Sequence, residues 1–124
     1  MICDVCLHHC NLAPGQTGFC RGRACKDGSI KPINYGLLTS LALDPIEKKP
    51  LARFYPGSWI LSAGSFGCNL RCPFCQNYEI SQADYSTYHL KYVAPETLTA
   101  QAVALKPRGN IGVAFTYNEP TVGW

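Results

Sequence analysis

The chain has 124 residues and a formal net charge of +3, which is enough length for one small domain with a modest hydrophobic core. The weak, dispersed charge, with Lys48-Lys49 as the only adjacent basic pair, excludes the dense basic surface of a nucleic-acid-binding protein. The sequence has no apolar run near the ~20 residues of a membrane span, and its start lacks the pattern of a secretory signal. We therefore expect a cytoplasmic protein with neither a nucleic-acid partner nor a membrane partner.

The eight cysteines are a high count for this length. In a reducing compartment, metal binding by cysteine thiolates is favoured over disulfide formation. A disulfide-rich secreted domain is the alternative, and a count of free thiols on the denatured protein would separate the two.

The chain divides into three zones, residues 1–28, 29–56 and 57–124. The first is rich in cysteine and glycine and shows little periodicity, which predicts a loop-rich knob held by metal. The second is a connector whose short apolar runs are interrupted by prolines. In it we expect one or two strands within Ile33–Leu43, a turn or bulge at Gly36, and a turn at Asp44-Pro45.

The third zone has the order strand, loop, helix, strand. Ser58–Phe66 predicts a buried strand with Trp59, Ile60 and Leu61 at its centre. Pro95 is well suited to the first position of a helix, and Pro107 and Gly109 are expected to end this helix. Ile111–Phe115 predicts a second buried strand, whereas the tyrosine-rich stretch 78–92 gives no clear prediction. This order is typical of the start of a parallel α/β fold.

The first strand of this zone leads into a C-x3-C-x2-C motif formed by Cys68, Cys72 and Cys75. Three closely spaced thiolates suit an iron–sulfur cluster, and because a [4Fe–4S] cube has four iron corners, three cysteines leave one iron open. A structural zinc site closed by His89, or by a cysteine of the first zone, is the alternative on spacing alone. The loop follows a predicted parallel strand, where α/β folds place their active sites, and this favours the open-cornered cluster.

This motif, with the aromatic Phe74 directly before its last cysteine, is similar to the signature of the radical S-adenosylmethionine (radical SAM) enzymes. The resemblance implies that Cys68, Cys72 and Cys75 hold a [4Fe–4S] cluster whose fourth iron is chelated by S-adenosylmethionine. One electron then cleaves the sulfonium bond and gives a 5′-deoxyadenosyl radical, which abstracts hydrogen from a substrate. The resemblance further implies an electron donor such as flavodoxin or ferredoxin, and it places the Phe74 backbone near the adenine.

A second resemblance lies in Val113–Pro120, at the end of the second predicted strand. The family commonly has a Gly-Gly-Glu-Pro-like segment there, which binds the methionyl amino group. On that resemblance Thr116, Asn118 and Glu119 would hold the methionyl end of the cofactor, while Tyr117 replaces the first glycine. The alternative for Glu119 is an exposed carboxylate in a turn.

Three further segments resemble one subgroup, the radical enzyme of the AmmeMemoRadiSam system, which is close to the pyruvate formate-lyase activating enzymes. They are Asp44–Leu51, Gln76–Gln82 and Phe115–Thr121. In activating enzymes the substrate is a glycine on a partner protein, so the resemblance implies a protein partner without naming it. The family core is a partial (βα)6 barrel of about 30 residues per unit. The chain therefore predicts only the beginning of a truncated barrel, an N-terminal fragment that is inactive by itself.

The first zone carries a second cysteine pattern, C-x2-C-x3-C-x9-C, formed by Cys3, Cys6, Cys10 and Cys20. This cysteine pattern resembles the N-terminal leader of the same subgroup. Four thiolates suit either a structural zinc site or a second iron–sulfur cluster that relays electrons, with zinc slightly favoured. Cys25 is predicted to be a spare thiol, and His8 and His9 to be solvated or to neighbour the ligands. The alternative to an enzyme is a non-catalytic module that binds zinc or an iron–sulfur cluster without cleaving S-adenosylmethionine.

Overall fold

The computed structural model describes residues 1–86 and 89–123. The strands are β1 (Arg23–Lys26), β2 (Ser29–Pro32), β3 (Leu37–Pro45), β4 (Trp59–Ser65), β5 (Lys91–Tyr92) and β6 (Asn110–Phe115). The α-helices are α1 (Tyr78–Ser81) and α2 (Pro95–Ala104), and short 3₁₀ helices span Ile46–Lys48, Lys106–Arg108 and Pro120–Gly123. β1 and β2 form a two-stranded sheet, and the other strands form a mixed sheet in the order β5-β3-β4-β6. The predicted α/β class is therefore confirmed.

The centre of the larger sheet follows the predicted strand–helix–strand order. β4 and β6 are parallel neighbours, and α2 lies in the connection between them, as parallel pairing requires. β4 is buried from Ile60 to Gly64 and lies between β3 and β6 in the sheet. Trp59 lies at its exposed start, at 39 % exposure, rather than at a buried centre. The prediction that β6 is buried is wrong, because β6 is an edge strand and Phe115 is 53 % exposed.

The main hydrophobic core lies between α2 and one face of this sheet. Its buried members are Leu61, Ala63, Val93, Leu98 and Ala102. Pro95 stands in the first turn of α2 and Gly109, with φ +85°, follows the last 3₁₀ turn, so the predicted start and stop signals act where expected. Asn110 joins strand to helix, since its Oδ1 accepts the Leu61 amide at 2.9 Å and its Nδ2 donates to the Ala102 carbonyl at 2.8 Å.

The connector contributes one long strand. β3 pairs antiparallel with β4 and has an irregularity between Leu38 and Ser40. Gly36, with φ +70°, occupies the turn before this strand, as predicted. The predicted turn at Asp44-Pro45 is wrong, because both residues belong to β3 and the chain turns only in the following 3₁₀ helix. Asp44 is buried and accepts a hydrogen bond from the distant side chain of Tyr117, and this contact overrides its local preference for a turn.

The leader, residues 1–28, is loop-rich but also contains the strand β1. β1 lies inside the predicted first zone and continues into β2 through Asp27 and Gly28, which have φ of 49° and 69°. Asp-Gly is a strong hairpin signal, and the zone boundary drawn at residue 28 cuts through this turn. Isolated bridges join Ile2 to Asn11 and Thr17 to Ala24. In the described part of the chain, neither α-helix has the length and apolar character to cross a membrane.

Candidate functional site

Two loops leave the sheet at the same edge because β4 and β6 are parallel. The cysteine loop begins at Gly67, and the second loop begins at Thr116. The side chain of Asn118 bridges them: its Oδ1 accepts the Ser65 amide at 3.3 Å, and its Nδ2 donates to the Gly67 carbonyl at 2.7 Å. The fold therefore brings together two motifs that lie far apart in the sequence.

The cysteine loop offers three free thiols, with Cys68 buried and Cys72 and Cys75 partly exposed. The Cys75 amide donates to the Cys72 carbonyl at 3.1 Å, which closes a turn around these two cysteines. Cys75 Sγ lies 3.6 Å from the hydroxyl oxygen of Ser81 on α1. Phe74 is 82 % exposed between them. Thiols are the donors that iron–sulfur clusters require, so the loop suits such a cluster in its chemistry.

Within residues 1–86 and 89–123, no three side chains of Cys, His, Asp or Glu are arranged to hold a metal ion. Neither the predicted cluster site nor the zinc alternative, closed by His89 or by a cysteine of the first zone, is therefore assembled in the described residues.

The second loop has a left-handed backbone at Tyr117, with φ +75°. Such a conformation is costly for a residue other than glycine, and the resemblance places a glycine at this position. The chain therefore keeps a glycine-like backbone despite the tyrosine. The Tyr117 ring fills the space above Gly64, where a Cβ would come within 2.6 Å of it. The Tyr117 hydroxyl donates to Asp44 Oδ2 at 2.6 Å, which stabilises the strained residue.

Asp44 is the centre of a charged network beside this loop. Lys48 Nζ lies 2.9 Å from one carboxylate oxygen and Lys49 Nζ lies 3.0 Å from the other. Burial acts to raise the pKa of Asp44, but hydrogen bonds from Tyr117 and the two lysines outweigh it and hold the pKa well below its ordinary value. The hydrogen bond with Asp44 raises the pKa of Lys48 in turn. The network anchors the second loop through an ionised carboxylate.

The other predicted residues of the second loop have local partners. The Thr116 amide donates to the Ala63 carbonyl at 3.0 Å and so extends the pairing of β6 with β4. One carboxylate oxygen of Glu119 accepts the Thr121 amide at 3.1 Å and the Thr121 hydroxyl at 2.5 Å. Thr116, Asn118 and Glu119 thus all lie on the loop that Asn118 joins to the start of the cysteine loop.

The leader contacts the cysteine loop directly, which the sequence interpretation missed. The Cys68 amide donates to the Cys20 carbonyl at 2.9 Å. Gly67 has φ +85°, and a Cβ on it would lie 2.8 Å from both the Cys20 carbonyl oxygen and the Gly22 amide nitrogen. The one signal in the sequence is Gly67 itself, because glycine is the usual residue where the chain adopts a left-handed conformation or approaches another group closely.

A stack of side chains extends this contact. The Arg71 guanidinium lies 4.3 Å from the centroid of the Phe19 ring, on which the His8 ring also packs at 4.0 Å. His8 Nε2 lies 2.9 Å from the Asn69 carbonyl oxygen. His8 therefore contacts the cysteine loop through Asn69, the residue that follows Cys68.

The leader cysteines are all free, with Cys3 and Cys20 buried and Cys6 and Cys10 half-buried. The Cys3 amide donates to the Cys10 carbonyl at 2.9 Å, which brings these two segments together. Burial raises the pKa of the Cys20 thiol, and the nearby Cys6 and Cys3 add to the rise. Cys25 is buried in β1. As in the cysteine loop, the described leader residues do not form an assembled metal site.

Fold and site together define a mixed α/β protein in which a three-cysteine loop and a polar loop follow two parallel strands. Residues 64–124 match the radical SAM superfamily, the superfamily that the cysteine motif predicts. Members of this superfamily use a [4Fe–4S] cluster and S-adenosylmethionine. The chain is also 41% identical over 121 residues to an uncharacterised protein of Methanocaldococcus jannaschii, an alignment that covers 97% of this chain and 35% of that protein. No solved structure matches the chain.

Proposed function

We propose that residues 57–124 are the first part of a radical SAM catalytic domain in which Cys68, Cys72 and Cys75 hold a [4Fe–4S] cluster. The main observation in support is that the two loops lie side by side at one edge of the sheet. The side chain of Asn118, on the polar loop, is hydrogen-bonded to the backbone of Ser65 and Gly67, immediately before Cys68. When bound, the cluster would supply the electron that reductively cleaves S-adenosylmethionine. The loop has three free thiols, so a cube held there keeps one corner for the cofactor.

The chain's own residues have separate roles in this proposal. Cys68 is the fixed member of the cluster loop, because its amide is bonded to the leader and its side chain is buried. Phe74 presents its backbone toward the adenine. Thr116, Asn118 and Glu119 hold the methionyl end, and Glu119 would exchange its contact with Thr121 for the cofactor amino group.

The narrower assignment is an enzyme of the AmmeMemoRadiSam or activating-enzyme type, with a flavodoxin or ferredoxin as electron donor and a partner protein as substrate. Support comes from the connector, residues 29–56. Its segment Asp44–Leu51, one of the three segments that resemble this subgroup, contains Asp44 and Lys49, which contact Tyr117, and Lys48, which is paired with Asp44. This segment therefore acts on the loop that is proposed to bind the cofactor. The enzyme is proposed to work in the cytoplasm.

For the leader, residues 1–28, we propose a structural zinc ion or a second iron–sulfur cluster held by Cys3, Cys6, Cys10 and Cys20. Cys3 and Cys6 lie close enough to Cys20 to help raise the pKa of its thiol, and binding a metal would remove the thiol protons. Because the Cys20 carbonyl accepts the Cys68 amide, metal in the leader would also stabilise the start of the cluster loop.

The decisive experiment is anaerobic reconstitution followed by iron, sulfide and zinc analysis. It compares the wild type with a Cys68→Ala/Cys72→Ala/Cys75→Ala triple variant, and with Cys25→Ala as a control for loss of a thiol outside both motifs. We expect the triple variant to lose about four irons and four sulfides and the control to lose none. Iron that remains in the triple variant belongs to the leader. Zinc alone, unchanged by added iron and sulfide, would overturn the cluster proposal.

An enzyme and a non-catalytic module differ in their response to S-adenosylmethionine. The cofactor should alter the electron paramagnetic resonance spectrum of the reduced cluster, because it coordinates the open iron, and 5′-deoxyadenosine should form in the complete enzyme. A full cluster whose spectrum does not change with cofactor would favour the binding module.

A further inference from the structure

Asn34 is a buried polar residue that lies outside both cysteine patterns and the second loop. It is 2 % exposed, and its Nδ2 donates to the carbonyl oxygen of Phe66 at 2.7 Å. Phe66 is fully buried and directly precedes Gly67. The Asn34 side chain also fills the space beside Gly22, where a Cβ would lie 2.9 Å from Nδ2. Asn34 therefore touches both the leader and the end of β4.

Asn118 contacts the same stretch of backbone from the other side. Its Nδ2 donates to the Gly67 carbonyl at 2.7 Å and lies 3.5 Å from the Phe66 carbonyl oxygen. The Phe66 carbonyl thus receives donors from two asparagine side chains. With the Ser65 amide bonded to Asn118 and the Cys68 amide bonded to Cys20, every residue from Ser65 to Cys68 is held by a partner outside the cysteine loop.

We propose that Asn34 is a positioning residue for the cysteine loop, which it fixes, together with Asn118, through the Phe66 carbonyl. A buried carbonyl that loses its donor is strongly unfavourable, so the pair restricts the direction in which the chain leaves β4. This restriction keeps Cys68 buried while Cys72 and Cys75 remain accessible. Outer partners of this kind orient metal ligands and tune the metal. The effect on the cluster depends on the proposed function, whereas the effect on the loop does not.

The first test uses the metal-free, reduced protein and iodoacetamide, with the alkylation rate of each cysteine measured by mass spectrometry. Cys25, buried in β1, is the internal reference because its alkylation reports opening of the protein away from the loop. Asn34→Ala should raise the rate at Cys68 relative to Cys25 by about fivefold or more, the factor expected when one hydrogen bond is lost from a local opening equilibrium.

Asn110→Ala is the matched control. Asn110 is also a buried asparagine, 6 % exposed, and bonds the backbone of β4 through Leu61. It lies at the opposite end of β4, away from the cysteine loop. Its loss should lower stability but leave the ratio of Cys68 to Cys25 unchanged. An unchanged ratio in Asn34→Ala, or an equal rise in both variants, would overturn the positioning role.

Asn118→Ala keeps the proposal testable where Asn34→Ala does not fold, because Asn118 is only half-buried. It should raise the same ratio, and a ratio at the wild-type value would reject the shared clamp. Reconstitution then separates the two proposals. If wild type takes up no cluster while the ratio still rises, the cluster assignment fails and the positioning role holds. If wild type takes up a cluster and the ratio does not rise, only the positioning role fails.

Discussion

Replacing Gly67 with alanine would test the contact between the leader and the cysteine loop. Gly67 has φ +85°, and the added Cβ would lie 2.8 Å from the Cys20 carbonyl oxygen and 2.8 Å from the Gly22 amide nitrogen. Favourable carbon contacts are about 3.5 Å or longer. Both neighbours are backbone atoms rather than the ends of flexible side chains, so the leader itself would have to move.

Two effects contribute to the expected loss of stability. The left-handed backbone disfavours alanine by about 1–2 kcal/mol. Forcing a methyl group into a closed contact costs a further 1–3 kcal/mol, roughly the range for overpacked sites. The free energy of unfolding should therefore fall by about 2–5 kcal/mol. Gly57→Ala isolates the first effect, because Gly57 has φ +77° and no atom within 4 Å of its ideal Cβ position.

Urea unfolding of wild type, Gly67→Ala and Gly57→Ala measures the difference directly. We expect Gly67→Ala to be the less stable variant by about 1–3 kcal/mol. Alkylation of Cys68 should also become faster in Gly67→Ala but not in Gly57→Ala, because the Cys68 amide would lose its hydrogen bond to the Cys20 carbonyl. Equal losses of stability in the two variants would refute the reasoning, because the leader would then not press on Gly67 in solution.

Two further predictions concern the network at Asp44. Its pKa in the folded chain lies below the ordinary value of about 3.9, so its stabilisation is complete above that value and is lost as the pH falls toward the folded pKa. The melting temperature of wild type should therefore decline more steeply below about pH 4 than that of Asp44→Asn, and parallel profiles would contradict this. Tyr117→Phe removes the hydroxyl that donates to Asp44 and should lower the free energy of unfolding by about 1.5–3 kcal/mol. Tyr85→Phe, at an exposed ring, should stay within about 0.5 kcal/mol, and equal losses in urea unfolding would count against the Asp44 contact.

The parallel unit could be predicted from the sequence because its signals are local. Pro95 begins α2 and Gly109 follows its last turn, and both residues act through their own backbone preferences. The exposure of the strands was harder to predict. An apolar run such as Ile111–Phe115 indicates a strand but not whether a neighbour covers each side, and β6 is an edge strand.

Asp44 shows why the connector was misread. Asp-Pro favours a turn when only adjacent residues are considered. In the fold, Asp44 accepts a hydrogen bond from Tyr117, 73 residues later, and this contact needs the carboxylate at the end of an extended strand. The same bond stabilises the left-handed backbone of Tyr117. Two residues that each depart from local expectation therefore stabilise one another, and neither departure is visible from its own neighbours.

The candidate site has the same character. The cysteine motif could be found from spacing, because three thiols within a short loop are a chemical signal in themselves. The residues that fix this loop have no such signal, since Asn34 and Cys20 act through single backbone groups of Phe66 and Cys68. A carbonyl or an amide can be held by almost any residue type, so the sequence does not reveal its partner. The donors of the proposed cluster could thus be read from composition and spacing, whereas the frame that orients them depends on contacts between the leader, the connector and the sheet.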